Sequence, residues 1–540
     1  MYTNAHQFRG LAFVTALLLP AVPGLPAENL VTGGDFERGL TGWNTLWTRT
    51  PSGKAVVDPA VAHGGRQAAR IEHTGSEDWS FPQAERIDVK PGQIYEMSAW
   101  VKLQGEGNAT LGVVLYSTEG KPLNWAFGGR TTRMTDVWRR LRTRFVIPPE
   151  TASMWPRLIG YGPATVWLDD AVLVRAGSLE QLRAEDLPDS VTATSPTCEV
   201  TFLTSDASLS VLDRRTGQKW AGRPSQSILV LDAKSTKSGF DLRLLDPAGM
   251  LEIDAAVRMD PDRPEFLLEL AAEGEMDGRL AFPGPFATQP GMFLIMPVNE
   301  GIGYPVDDES LKPMHYHLYG GHGLCMGWWG ITDCEKGLMA IVETPDDASV
   351  RVPRIDGLLC LAPEWQPQMG QFGPVRRIRY VLFDSGGYVA MCKRYRKYSQ
   401  EAELLTTLAH KRAENPNVDR LIGAVNVWCW SRDPVGVCRQ LQSSGIDRIL
   451  WSHRSTAEQI KAMNAMGILT SRYDIYQDTM DPANFPNLYG VHPDWTSDAW
   501  PDDLMLDANG DWRRGWRVKG KDDQWYPCGV LCDRQAVDYA

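Results

Sequence analysis

Apolar and polar residues alternate with a period of two along most of the chain up to residue 400. Gln93–Leu103, Ala109–Thr118, Arg139–Pro148 and Ala164–Val174 each carry the pattern, with Gly, Pro, Asn or Asp between the runs. That is the signature of strands packed inward on one face, and it predicts an all-β sandwich over residues 28–176. Residues 177–195 lose the alternation and turn polar, with Pro188 and several serines, so they read as a linker with room for one helical turn. A second β region over residues 196–400 holds Val200–Arg215, Gly239–Pro247, Leu251–Asp260 and Glu265–Glu273, then Gly291–Asp308, Gly337–Val352 and Arg376–Tyr388. So long a β stretch with so few helical signals predicts a large double-sheet sandwich. Ala390–Leu408 then reads as a helix, and residues 401–420 as a helical connector.

From residue 421 the pattern changes. Leu421–Trp430 has strand composition. Asp433-Pro434 supplies an N-cap with proline at the first helical position, and the helix that follows stops at Gly445, where a left-handed cap suits a residue without a Cβ. Ile446–Trp451 is a second strand. Ser455–Glu458 fits a capping box, its helix stops at Gly467, and Ile468–Tyr473 is a third strand. This β-α-β-α-β order with short connections predicts a parallel sheet with right-handed crossovers. A closed eight-fold barrel needs about 250 residues, so 421–540 is expected to be its first part only, with the chain a fragment of a longer protein. Residues 482–532 read as a Trp- and Asp-rich loop after the third strand, and Asp533–Ala540 as the start of a third helix.

Composition narrows the function. The formal net charge of −12 with no basic stripe argues against nucleic acid. Nine cysteines are too few for a disulfide scaffold. Arg9 ahead of the apolar Leu11–Pro20, with a cut after Ala27, reads as an export signal over residues 1–27. That stretch is too short to span a bilayer, so a secreted or periplasmic protein is expected. Twenty tryptophans suit core packing, and they also suit stacking on sugar rings.

Asn29–Glu37 followed by Gly39–Trp43, together with Val166–Leu173, resembles the first and last strands of jelly-roll carbohydrate-binding modules. In such modules these strands often share a structural calcium, and Glu37 and Asp169 match the acidic positions. Calcium takes six to eight oxygens; the alternative is that both acids cap strand ends. Trp79, Trp125, Trp155 and Tyr161 are candidates for the sugar-stacking face, whereas Trp43 and Trp167 are assigned to the core. In the second region His315 and His317 would share a strand face. With His322 they are either zinc ligands or part of a Gly-rich aromatic loop.

A module, a large sandwich and a (β/α) segment in this order resemble the supersandwich-plus-barrel α-glycosidases, in particular the endo-α-N-acetylgalactosaminidase group. Met296–Asp307, Ala340–Ala348 and the entry into Asn426–Trp430 carry that resemblance. It implies a secreted glycoside hydrolase acting on α-linked glycans through a retaining pair of carboxyl groups, both expected beyond residue 540. At the strand ends Trp430, Trp451, His453, Tyr473 and Asp474 offer a pyranose an aromatic face plus donors and acceptors. The competing possibility is that Trp430 and Trp451 plug a barrel interior. Asp478 and Asp481 would hold substrate or a loop. The alternative function is a non-catalytic secreted or cell-surface carbohydrate-binding protein; a polysaccharide lyase is a third. A glycan is the expected partner in the first two, with no organic cofactor.

Overall fold

The computed structural model describes residues 28–225, 228–276, 278–318, 323–471, 478–492, 495, 500–506 and 512–532. The expected export signal, His322, Tyr473, Asp474 and residues 533–540 lie outside the described residues. Two compact units form: residues 28–187 with the short segments 228–232 and 244–251, and the remainder.

The first unit contains β1 (Trp47–Thr48), β2 (Gly53–Asp58), β3 (Ala68–His73), β4 (Asp78–Pro82), β5 (Ile87–Asp88), β6 (Gln93–Ser117), β7 (Pro122–Val146), β8 (Thr151–Tyr161) and β9 (Ala164–Ser178). Hydrogen bonding runs β1-β4-β8-β6-β9-β3-β2, with β5 added to β8 and β7 to β6. The long β6 serves both layers. Its first half pairs with β9 and its second half with β8, both antiparallel. Alternate residues from the two halves, Met97, Val101 and Leu103 and then Leu111, Val113 and Leu115, enter one core. A sandwich results because the period-two alternation is kept on both sides of the irregular register between Leu103 and Asn108. Trp43 stacks on Phe81 at 4.8 Å inside this core. Trp167 is buried too, with its indole donating to Asp58 at 2.9 Å.

The helical turn expected in the linker is Leu179–Leu182, whereas in the second unit the end of that linker is already strand. Ser190–Thr194 pairs antiparallel with Cys198–Leu203, and Val191 and Ala193 point into the interior. This strand pair belongs to a four-stranded sheet; most of a nine-stranded sheet follows, with a three-stranded sheet made of Met314–His317, Ala348–Val352 and Ala362–Trp365. The connecting helix runs Gly387–Glu401 and places Met391 and Tyr395 on Trp328, Met339 and Val381. Arg394 reaches from this helix to Glu265 with two hydrogen bonds, 2.6 and 2.9 Å.

Three parallel strands then appear, shorter than expected: Val425–Val427, Ile449–Trp451 and Leu469–Thr470. The helices between them are Pro434–Ser443 and Ala457–Ala465. Asp433 caps the first as expected, accepting from the Gly436 N–H. The second is capped by Thr456 with Gln459, one residue later than the expected Ser455–Glu458 box. Gly445 and Gly467 end the helices at φ +85° and +81°, in the left-handed region that favours glycine. Asp478–Thr479 then pairs antiparallel with Trp525–Val530, which pairs with Arg514–Lys519. All nine cysteines are free thiols, and among the described residues no helix is long and apolar enough to cross a membrane.

Candidate functional site

The outer face of β8 follows from its alternation. Met154 and Leu158 point into the core, so Trp155, Arg157 and Tyr161 point out. β6 lies beside it, with Val114 opposite Trp155 and Gly112 opposite Arg157. The Trp155 indole donates to the Gln83 carbonyl at 2.7 Å, which fixes the ring against the loop after β4. Arg86 from that loop lies over the Tyr116 ring at 3.6 Å and 5.6 Å from the Trp155 ring. Arg157 donates to Ser80 Oγ at 3.2 Å and to the Trp125 carbonyl. Its guanidinium stands 5.8 Å from the Trp125 ring, and burial pulls the Arg157 pKa below its usual value.

The result is a strip of planar groups, Tyr116, Arg86, Trp155, Arg157 and Trp125, with Tyr161 open at the end of β8. Trp125 is 60 % exposed, and its ring is free to take a flat apolar ligand face. The guanidiniums of Arg157 beside it and of Arg86 beside Trp155 donate only, so they suit hydroxyl oxygens. Trp125 and Trp155 therefore both lie along this strip. Trp79 does not: it is 1 % exposed and lies in the core, over Gly160, where a Cβ would come within 2.3 Å of the indole. In β4 the polar Asp78 and Ser80 take the outer face, so the period of two turns Trp79 inward with Phe81. Arg86, Tyr116 and Arg157 were missed. Arg157 could have been found, since it sits two residues from Trp155 on one strand.

Glu37 and Asp169 meet the same loop, residues 60–67. Asp169 is fully buried. Its Oδ2 accepts the His63 and Gly64 N–H groups at 2.8 and 3.1 Å, and its Oδ1 accepts the Asp170 N–H at 2.8 Å. Glu37 Oε1 accepts from Arg66 and Gln67 at 2.7 and 3.2 Å. Burial raises the Asp169 pKa, while the Arg66 N–H leads in lowering that of Glu37. Three of these four oxygens are thus directed at N–H donors. Among the described residues no group of three acidic, His or Cys side chains stands together as a metal site. The two carboxylates anchor a loop. Likewise His315 and His317 share a face, but His315 meets Glu364 at 3.0 Å and Ser349 at 3.1 Å, and His317 meets Gln366 at 3.0 Å.

In the second unit, Trp430 is 72 % exposed beyond the first parallel strand. Its ring lies 5.3 Å from His453 and 6.1 Å from Trp428, so the C-terminal strand ends do present an aromatic cluster. Trp451 does not join it. It is buried with Cys438, Ile449, Met463 and Ile468 between the sheet and its helices.

Comparison with known proteins adds two findings. Residues 28–158 match the family described as a carbohydrate-binding domain. No curated protein sequence matches the chain. An α-N-acetylgalactosaminidase from Bifidobacterium bifidum, solved with N-acetylgalactosamine, is 18 % identical, with a TM-score of 0.51 over 65 % of this chain and 66 % of its own. A family 16 carbohydrate-binding module is 20 % identical over 27 % of this chain and 100 % of its own, with a TM-score of 0.21. A family 61 module solved with β-1,4-galactotriose is 21 % identical over 28 % of this chain and 99 % of its own, also at 0.21. The chain thus carries a carbohydrate-binding domain at residues 28–158, and it is structurally similar, at low identity, to a bacterial α-N-acetylgalactosaminidase.

Proposed function

We propose that the chain belongs to a secreted glycoside hydrolase acting on α-linked glycans, with the first unit holding the glycan. The observation that carries the reading is the open strip of Trp125, Arg157, Trp155 and Arg86 on a domain of carbohydrate-binding type. An indole face covers the C–H side of a pyranose while the neighbouring guanidiniums donate to its hydroxyls. Fixing Arg86 by stacking and Arg157 by hydrogen bonds lowers the entropy lost on binding.

The hydrolytic part rests on the shared fold with an α-N-acetylgalactosaminidase and on the Trp430–His453 cluster at the strand ends. We take the three parallel strands as the start of a (β/α) barrel, whose ligands sit at that end. Hydrolysis with retention would need two carboxyl groups about 5–5.5 Å apart. Residues 1–27 are assigned to export.

A glycan array including terminal α-linked N-acetylgalactosamine tests the reading, with the wild-type chain beside W125A/W155A. Selective binding lost in the double variant supports it; equal binding by both chains refutes it. Mass spectrometry of the exported protein should find its first residue at Glu28.

A further inference from the structure

An open pocket lies far along the sequence from the strip. Asp478, Gly515, Trp516 and Val530 line a cavity of about 290 Å³ among the described residues. This is near the lower limit of small-ligand pockets, roughly 300–1,000 Å³, and is suited to one ring rather than a chain. The Asp478 side chain is nearly inaccessible, at 2 % exposure for the residue. Behind it stands the apolar cluster of Met480, Leu488, Trp495 and Cys528. The Trp495 indole donates to Asp478 Oδ1 at 3.3 Å. Trp516, by contrast, is 71 % exposed. The pairing of Arg514–Lys519 with Trp525–Val530 slips between Arg514 and Arg517. Trp516 sits in that irregularity, the kind of feature that re-aims a side chain next to a site. A large indole thus stands in water at the mouth of the pocket, with a buried carboxyl on the pocket wall.

The surroundings tie this cavity to the strand ends. Arg454, next to His453, meets His492 Nδ1 at 3.2 Å, and the His492 ring lies 5.6 Å from Trp495. A single run of contacts therefore joins the loop after the second parallel strand to the carboxyl on the cavity wall.

We propose that this cavity is a binding subsite for a single uncharged pyranose ring, stacked on Trp516 and hydrogen-bonded by Asp478. The proposal rests on the reading of the protein as glycan-active. Burial raises the Asp478 pKa, against the Trp495 indole and the Trp516 backbone N–H, which lower it; once protonated, the carboxyl donates one hydrogen bond, which a sugar hydroxyl can accept. An anionic sugar would meet a site that disfavours negative charge.

The test is a tryptophan-fluorescence titration of the full chain carrying W125A/W155A, which removes the strip of the first unit. The probes are methyl α-galactopyranoside, N-acetylgalactosamine and glucuronate. Saturable binding of at least one neutral sugar, with glucuronate weaker, is expected. Adding Trp516→Ala should weaken it by about tenfold or more while the melting temperature holds. Asp478→Asn, which keeps a neutral donor and acceptor, should retain binding and remove its decline as pH rises through the Asp478 pKa. Binding unaffected by Trp516→Ala, tighter binding of glucuronate, or no binding at all in this background overturns the proposal. Array binding by the wild-type chain is scored separately, so loss of the subsite does not remove the reading of the first unit.

Discussion

Replacing Asp169 tests how the first unit holds its loop, and whether a metal has any part in it. Asp169→Ala leaves the N–H groups of His63, Gly64 and Asp170 without the acceptor that each now meets at 2.8–3.1 Å. An unsatisfied buried donor costs about 1–3 kcal/mol. His63 is partly open to solvent, so water recovers part of the loss, leaving about 2–4 kcal/mol overall. For a unit of this size that is a fall of roughly 5–15 °C in melting temperature. Asp169→Asn keeps one acceptor and should lose about half as much. The pH dependence has a definite sign. Burial puts the folded pKa above the unfolded one, so protonation favours the folded state. The wild-type carboxyl therefore contributes more stability as pH falls through the folded pKa towards the unfolded value, and less at neutral pH. The gap between wild type and Asp169→Asn should widen on acidification. Scanning calorimetry with and without a calcium chelator is the assay, and chelation should shift nothing. A calcium-dependent rise in melting temperature that vanishes in Asp169→Asn would refute the reasoning and return the pair to its expected role as metal ligands.

Further substitutions separate packing from binding. Trp79→Ala removes a core indole and should cost about 3–5 kcal/mol by denaturant titration, with glycan binding persisting in whatever fraction stays folded. Glu265→Ala removes both short hydrogen bonds of Arg394, leaving it only the 3.7 Å approach of Glu401, and should destabilise the second unit by about 3 kcal/mol, read as earlier unfolding in calorimetry. Gly330→Ala would set a Cβ 2.4 Å from Met391 Sδ; overpacking there should cost about 1–3 kcal/mol, measured the same way.

Much of this fold is written locally. The alternation of β6, β8 and β9 gives the sandwich of the first unit, and Asp433-Pro434 with Gly445 gives one helix to within two residues. Where two local patterns compete, the sequence is ambiguous: Ser455–Glu458 and Thr456–Gln459 both fit a capping box, and only hydrogen bonding selects the second. Ser190–Thr194 looked like linker because three of its five residues are hydroxylated, yet its two apolar positions are the buried ones. Trp451 was unreadable for a different reason. A parallel strand covered on both sides has no polar face to set the phase, so nothing local tells a lining tryptophan from a packed one. The strip on the first unit was half legible. Trp125 and Trp155 stand out by type, whereas Arg86 enters from a loop and is brought over Tyr116 only by the tertiary fold. Asp478 is the opposite case: its carboxyl was visible, but its cavity depends on Asp478–Thr479 pairing with the distant Trp525–Val530.

The central claim is that the first unit binds glycan through an exposed aromatic and guanidinium strip. The most direct measurement is the affinity of the full chain for its best array glycan, compared with W125A/W155A under identical conditions. Binding weakened by about tenfold or more at an unchanged melting temperature is the predicted result. Undiminished affinity in the folded double variant would contradict it.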